Sequence, residues 1–304
     1  MNSTFKLIIA FCVLFLAISC NKSADATQET ILKGNATLLV DATLMPVMED
    51  QVQIFESRYE ATIKMNAQSE TEVIQSLVKD TSSIAVLSRK LNADEMKIFA
   101  NRKIIPKITP IAIDAVALIT NKNSNDTLVD IKDVIDFMNG KLSPKIKGLV
   151  FDNPNSSTVR YMNTLAGLTS IPQKGVFSFG TNNEVIKFVS QNEGMIGVVG
   201  LNWLTQPRPE MQPYVDKVTV LSVKGKNLND FYAPDQNNIA EGKYPLAREL
   251  YIVNCQGFSG LGMGFASFVA GDIGQRIILK SGLLPYKVPP RKLSIRNQIS
   301  NDKK

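Results

Sequence analysis

Residues 36–90 read ATLLVDATLMPVMEDQVQIFESRYEATIKMNAQSETEVIQSLVKDTSSIAVLSRK, and the alternation inside this stretch decides the fold. Ala36 to Val40 is a short apolar run, followed by the capping residues Asp41-Ala42-Thr43. Val47 to Tyr59 carries apolar residues at Val47, Ile54 and Phe55, compatible with a helix, and Ala61 to Met65 alternates as a strand. Ser69 and Glu72 have the spacing of a capping box that opens a second helix, Val73 to Val78. Ile84 to Leu87 reads as a brief buried strand ending at Ser88-Arg89-Lys90. Repeated strand–helix units predict an α/β protein, a parallel arrangement with helices packed on its faces.

Downstream the same grammar continues. Ile111 to Thr120, IAIDAVALIT, is long and rich in β-branched residues, with Asp114 inside it. A helix is expected over Ile131 to Met138, and a strand over Leu149 to Phe151 that runs into Asp152-Asn153-Pro154-Asn155-Ser156-Ser157-Thr158. A helix follows from Val159 to about Leu165, another spans Glu184 to Gln191, and Gly194 to Gly200 is a glycine-punctuated strand. Tyr244 to Val253 reads as a second long strand, and Gly264 to Lys280 as one amphipathic helix closing at Gly282.

The first twenty residues belong to export. Lys6 precedes an apolar run, Leu7 to Ile18, too short to span a hydrocarbon core but suited to a signal peptide. Ala17-Ile18-Ser19-Cys20 resembles a bacterial lipobox, with isoleucine a loose fit, so residues 1–19 are expected to leave and Cys20 to carry lipid. The alternative is an ordinary cleaved signal with an incidental cysteine; either exports the chain. Residues 20–35 are expected to be a flexible tether.

Composition narrows the function. Of three cysteines, Cys12 leaves with the signal and Cys20 is the lipid site, so Cys255 has no disulfide partner and stability must come from a core. The formal charge is +6, or about +5 once Lys6 is removed with no acid, which helps attract anions. No dense basic run with interleaved aromatics argues for nucleic acid. The chain has no histidine, which removes Ser-His and Cys-His catalysis and the commonest zinc ligand. No enzymatic role, no cofactor and no metal are therefore expected.

Three loops share one design, a short strand, then hydroxyl or amide residues, then a helix: Asp41-Ala42-Thr43-Leu44, Gln68-Ser69-Glu70-Thr71 and Asn155-Ser156-Ser157-Thr158. A helix start presents unpaired N–H groups and the positive end of the macrodipole, and added hydroxyls make an oxyanion site. Capping alone accounts for any one of them; the conjunction of three points to an anion.

Several stretches resemble the phosphate-binding component of Pst-type ABC transporters, a family of type II periplasmic binding proteins. They are Ser88-Arg89-Lys90-Leu91 before Asp94-Glu95, Asn155-Ser156-Ser157-Thr158, Gly194-Met195-Ile196-Gly197-Val198-Val199-Gly200, Tyr244-Pro245-Leu246-Ala247-Arg248-Glu249-Leu250-Tyr251, and Phe268-Val269 through Gly274-Gln275 to Gly282 and Pro285. The similarity covers nearly all of residues 36–285. It implies two α/β lobes of mixed sheets flanked by helices, joined by two hinge strands mapped to IAIDAVALIT and PLARELYIV. Residues 36–118 with 247–292 would form the first lobe, 119–246 the second, and 293–304 a tail. The Tyr244 motif is then structural rather than ligand-binding.

The resemblance also implies a ligand set. Thr43 and the Leu44 N–H match the first anion loop, Ser69 the second, Ser88 the strand-end serine, and Ser156, Ser157 and Thr158 the third. Two charges depart from the family pattern. Arg89 stands where an aspartate usually follows the serine, and Asp152 where an arginine usually precedes the third loop. Either Arg89 and Asp152 meet across the closed cleft, with Arg160 as a second cation, or the arginines face solvent and Asp152 caps a turn. The implied protein is a monomer, lipid-anchored to a bacterial membrane in the periplasm or at the cell surface. It would capture inorganic phosphate for an ABC permease. The competing readings are another oxyanion such as sulfate or molybdate, a surface sensor or adhesion module, and a phosphatase using Asp41.

Overall fold

The computed structural model describes residues 29–288. The signal sequence, Cys20 and the 293–304 tail fall outside the described residues. Among the described residues no helix is long and apolar enough to cross a membrane.

The opening alternation folds as expected. Strand β1 (Lys33–Asp41) leads through a short 3-10 turn into helix α1 (Met45–Glu56), then β2 (Glu60–Gln68), α2 (Glu70–Lys79), β3 (Ile84–Leu87) and α3 (Ala93–Asn101). β1 pairs in parallel with β2 on one side and with β3 on the other. Burial follows the two-residue period of a strand. Leu38, Val40, Ile84 and Val86 enter one core cluster, while Leu39, Ala85 and Leu87 enter another on the opposite face. Both faces of this part of the sheet are covered, which is why its strands read as unbroken apolar runs.

β4 (Lys107–Asn121) is the longest strand, and its two halves belong to different cores. Ile111 and Ala112 pack with the β1 cluster, whereas Ala115 to Ile119 join a separate cluster. That second cluster is built on β5 (Leu128–Asp130), α4 (Ile131–Met138), β6 (Gly148–Phe151), α5 (Ser157–Ala166), β7 (Val176–Ser178), α6 (Asn182–Gln191) and β8 (Met195–Gly200). Short helices α7 (Asn202–Thr205), α8 (Gln212–Val215) and α9 (Gln236–Ala240), with strands β9 (Val218–Val220) and β10 (Ser222–Lys224), complete it. The chain returns through β11 (Ala247–Asn254) to α10 (Leu261–Val269), α11 (Asp272–Lys280) and β12 (Leu284–Pro285). Two lobes, each with its own core, result.

The two expected hinge strands lie side by side. β11 pairs antiparallel with β4, Ala247 opposite Ala115 and Arg248 opposite Asp114. The lobes therefore do not carry separate sheets: β4 links their strands into one curled ten-stranded sheet whose main path runs β2-β1-β3-β11-β4-β8-β6-β7, with β9 and β12 also pairing onto β4. The cause is the length of β4, which pairs with β11 along its first part and with β8 along its second.

Three expectations shift. The first strand begins at Lys33, ahead of the apolar run, and the end of the tether packs onto α10: Leu261 N–H donates to Glu29 Oε1 at 2.8 Å. The second long strand starts at Ala247 rather than Tyr244; Tyr244 is buried and its hydroxyl donates to the Val116 carbonyl at 2.7 Å, pinning the turn. The C-terminal helix is two helices, broken at Ala270 and at Gly271, whose backbone is extended, and the turn brings Gly274 against the Val269 backbone, 2.4 Å from its carbonyl oxygen to where a Cβ would stand.

Candidate functional site

The site lies where the loops at the carboxyl ends of β1, β2, β3, β6 and β8 converge between the lobes, the position at which open α/β sheets bind ligands. At its centre two hydroxyls from different lobes meet. Thr43 Oγ1, on the loop after β1, is 3.0 Å from Ser157 Oγ, at the start of α5. Arg248 on β11 reaches both: its Nη1 donates to Ser157 Oγ at 2.8 Å and its Nη2 to Thr43 Oγ1 at 3.1 Å. The guanidinium is held by Asp114, whose Oδ2 accepts from Nε at 3.0 Å and Nη2 at 2.9 Å. All four side chains are buried. Burial works against the Arg248 charge, but Asp114 and Asp41 outweigh it and hold the group protonated above its ordinary pKa.

Asp41 closes this cluster. Its Oδ1 accepts the Thr43 N–H at 3.1 Å, while Oδ2 is buried with no hydrogen-bond partner among the described residues. Complete burial lifts its pKa from 3.8 to about 6, against the opposing pull of Arg248. An unpartnered carboxylate oxygen beside a buried arginine and two hydroxyls can accept a hydrogen bond from a protonated ligand.

Asp152, at the end of β6, does not meet Arg89. Its Oδ1 accepts from Ser156 Oγ at 2.5 Å and Thr158 Oγ1 at 2.6 Å, and its Oδ2 from Asn182 Nδ2 at 3.0 Å. Burial raises its pKa, opposed by the hydrogen bonds from Ser156 and Thr158. The cross-cleft pair of Arg89 with Asp152 is thus corrected: Asp152 organises its own loop. Nor do the arginines simply face solvent. Arg89 Nε donates to Glu70 Oε1 at 2.8 Å, and its two terminal nitrogens grip Glu95 at 2.7 and 2.8 Å. Arg160, from α5 in the other lobe, reaches the same Glu70 and also Ser88 Oγ, the latter at 3.2 Å.

Ser69 forms the expected capping box with Glu72 at the start of α2, and Glu72 Oε2 also takes the Ser69 hydroxyl at 2.7 Å. The Leu44 side chain is fully buried in the first core, leaving only its backbone for the cleft. The lobes are in contact elsewhere as well. Trp203 Nε1 donates to the Thr43 carbonyl at 2.9 Å, and Gly200 lets that carbonyl approach to 3.0 Å of where a Cβ would stand. Beside the hydroxyl pair a pocket of about 380 Å³ is lined by Ser69, Asp152, Ser156, Asn182, Trp203 and Arg208. Among the described residues no cluster of His, Cys, Asp and Glu has the geometry to hold a metal ion.

Sequence reasoning missed Arg248 and Asn182 and read Asp41 and Glu70 as helix-start residues. The register of β4 and β11 would have exposed Arg248, since it puts Arg248 opposite Asp114, a buried charged pair between the two long strands.

The fold and this interlobe cluster define a binding protein of two hinged lobes. Residues 24–272 match the family described as PBP superfamily domain, and the chain belongs to that family. Among solved structures it is similar to a phosphate ABC transporter substrate-binding protein of Clostridium perfringens with bound phosphate. That match has 21% identity and a TM-score of 0.70 over 84% of this chain and 100% of that one. An ABC-type phosphate transport receptor from Vibrio cholerae matches at 17% identity and TM-score 0.62, covering 83% of this chain and 100% of that one. The CcmR regulatory domain of Synechocystis matches at 12% identity and TM-score 0.53, covering 78% of this chain and 96% of that one. Comparison with curated protein sequences gives no significant match. These likenesses establish the type II periplasmic-binding-protein fold, which serves both transport receptors and regulators.

Proposed function

We propose that this chain is an exported solute-binding lipoprotein that closes on a small oxyanion, phosphate foremost, and delivers it to an ABC permease without chemistry of its own. The observation that carries the reading is the pair of hydroxyls, Thr43 and Ser157, brought from two lobes to 3.0 Å and bridged by the buried Arg248. Ser157 opens α5, so the same spot faces the positive end of a helix. Hinge opening separates the two hydroxyls and admits a ligand between them; closure surrounds it. Ser69, Ser88, Ser156 and Thr158 are the remaining hydroxyls of the seat, and the Leu44 N–H is the backbone donor.

Hydrogen bonding favours phosphate over sulfate or molybdate. Asp41, Glu70, Asp114 and Asp152 surround the seat along with Arg89, Arg160 and Arg248, so the arginines are already matched by carboxylates. Hydrogen phosphate and sulfate carry the same double negative charge, but only hydrogen phosphate has an O–H that can donate a hydrogen bond to the free oxygen of Asp41, which a sulfate oxygen would meet as acceptor against acceptor. Titration calorimetry with phosphate, sulfate and molybdate tests this. Phosphate heat with none from sulfate is expected, and equal binding of the two sinks the selectivity. Anchoring rests on the lipobox-like stretch, with Cys20 as the lipid site; loss of fatty-acid labelling in Cys20→Ala is its test.

A further inference from the structure

We infer that Glu70 is a resident anion: its carboxylate fills part of the oxyanion seat and latches the lobes together when no ligand is bound. The inference takes its ligand from the oxyanion reading above, while the latch itself stands on geometry alone.

Glu70 is the first residue of α2, where a family-like anion loop would offer its helix start to a ligand. Its side chain is 3% exposed, and both oxygens are taken. Oε1 accepts from Arg89 Nε at 2.8 Å and Arg160 Nε at 2.5 Å; Oε2 accepts from Arg160 Nη2 and from Ser88 Oγ, each at 3.1 Å. Ser88 is the strand-end serine that the family resemblance assigns to the ligand, and Arg89 and Arg160 are the two cations expected beside it. A carboxylate receiving four such bonds is a planar stand-in for an oxyanion. Burial alone would raise its pKa, but the charges and hydrogen bonds of Arg160 and Arg89 prevail, and the group stays ionised.

The position of Arg160 separates this contact from an ordinary buried ion pair. Asp114 and Arg248 sit on neighbouring strands and need no lobe movement to meet. Arg160 instead projects from α5 of the second lobe to a carboxylate of the first, and its side chain remains 35% exposed. Opening the hinge must break this contact, and an anion entering from solvent competes with Glu70 for the same donors. Only a ligand that interacts with those donors better than Glu70 does can shift the equilibrium.

The test measures cleft closure by small-angle X-ray scattering, and phosphate affinity by calorimetry, for the parent protein, Glu70→Gln and Arg160→Gln. Without ligand, both variants should show a larger radius of gyration than the parent. Glu70→Gln should bind phosphate at least about tenfold tighter and Arg160→Gln more weakly, because one variant removes the competitor and the other a donor. Arg160 is more exposed than Glu70, so Arg160→Gln tests the latch even where Glu70→Gln fails to fold. Parent-like compactness in the folded variants overturns the latch, and an open Glu70→Gln that binds phosphate no tighter overturns the resident anion. Open variants with no phosphate binding by any protein, the parent included, keep the latch and remove the oxyanion reading.

Discussion

Arg248 and Asp114 are register partners on the two central strands, and the guanidinium they position spans both lobes' hydroxyls. The ion pair is fully buried, so removing one member leaves the other charged and unpaired. Arg248→Ala is expected to cost about 3–5 kcal/mol of stability and to abolish detectable anion binding. The double change Asp114→Ala with Arg248→Ala should recover part of the stability, because no charge is stranded, but none of the binding. Denaturant unfolding and calorimetry on the set distinguish a purely structural pair, whose double variant would still bind.

Asp41 gives the cluster a pH dependence whose sign is fixed by its raised pKa. Between its ordinary 3.8 and about 6 the folded protein holds a proton that the unfolded chain has released. Stability therefore falls as pH rises through that window, by up to about 3 kcal/mol for a two-unit shift. Glu70 acts in the opposite sense, its lowered pKa costing stability as pH falls below its ordinary 4.5. Asp41→Asn should thus be more stable than the parent above pH ~6, and the difference should shrink toward pH ~4. Thermal melts across pH check it; a difference constant with pH would show that Asp41 titrates normally.

The fold was legible because strand and helix periods differ and the apolar runs respect them. Ile84 to Leu87 and Ile131 to Met138 fold over the lengths their patterns suggested. What was not legible depended on contacts far apart in sequence. The apolar pattern runs straight through Ala270 and Gly271, so the break between α10 and α11 left no mark in periodicity. Arg248 looked like part of a structural motif because Asp114, its partner, is 134 residues away. Glu70 looked like a helix-start acid, which it also is; its partner Arg160 lies 90 residues away in the other lobe.

Arg89 and Asp152 belong to different networks, one around Glu70 and Glu95 and one around Ser156, Thr158 and Asn182. Asp152→Asn is expected to cost about 1–3 kcal/mol, because the neutral amide oxygen accepts more weakly from two buried hydroxyls. Combining it with Arg89→Ala should give additive losses within about 0.5 kcal/mol. A larger coupling in the double-mutant cycle would mean that the two charges do communicate across the cleft.

Trp203 is the only tryptophan in the chain, and its indole N–H donates across the cleft to the Thr43 carbonyl at 2.9 Å. Its fluorescence should therefore report closure directly. The approach depends on Gly200, where an added Cβ would stand 3.0 Å from that same carbonyl and 2.9 Å from the Asn202 side chain. The Asn202 side chain can turn aside, but the Thr43 carbonyl is backbone and moves only with its lobe. Gly200→Ala should hold the lobes slightly apart, shifting Trp203 emission to the red as the indole meets water. Anion affinity should weaken by about tenfold, since about 1.4 kcal/mol of closure contacts is enough for that loss. Emission and affinity both at parent values would mean that the carbonyl can retreat without opening the cleft.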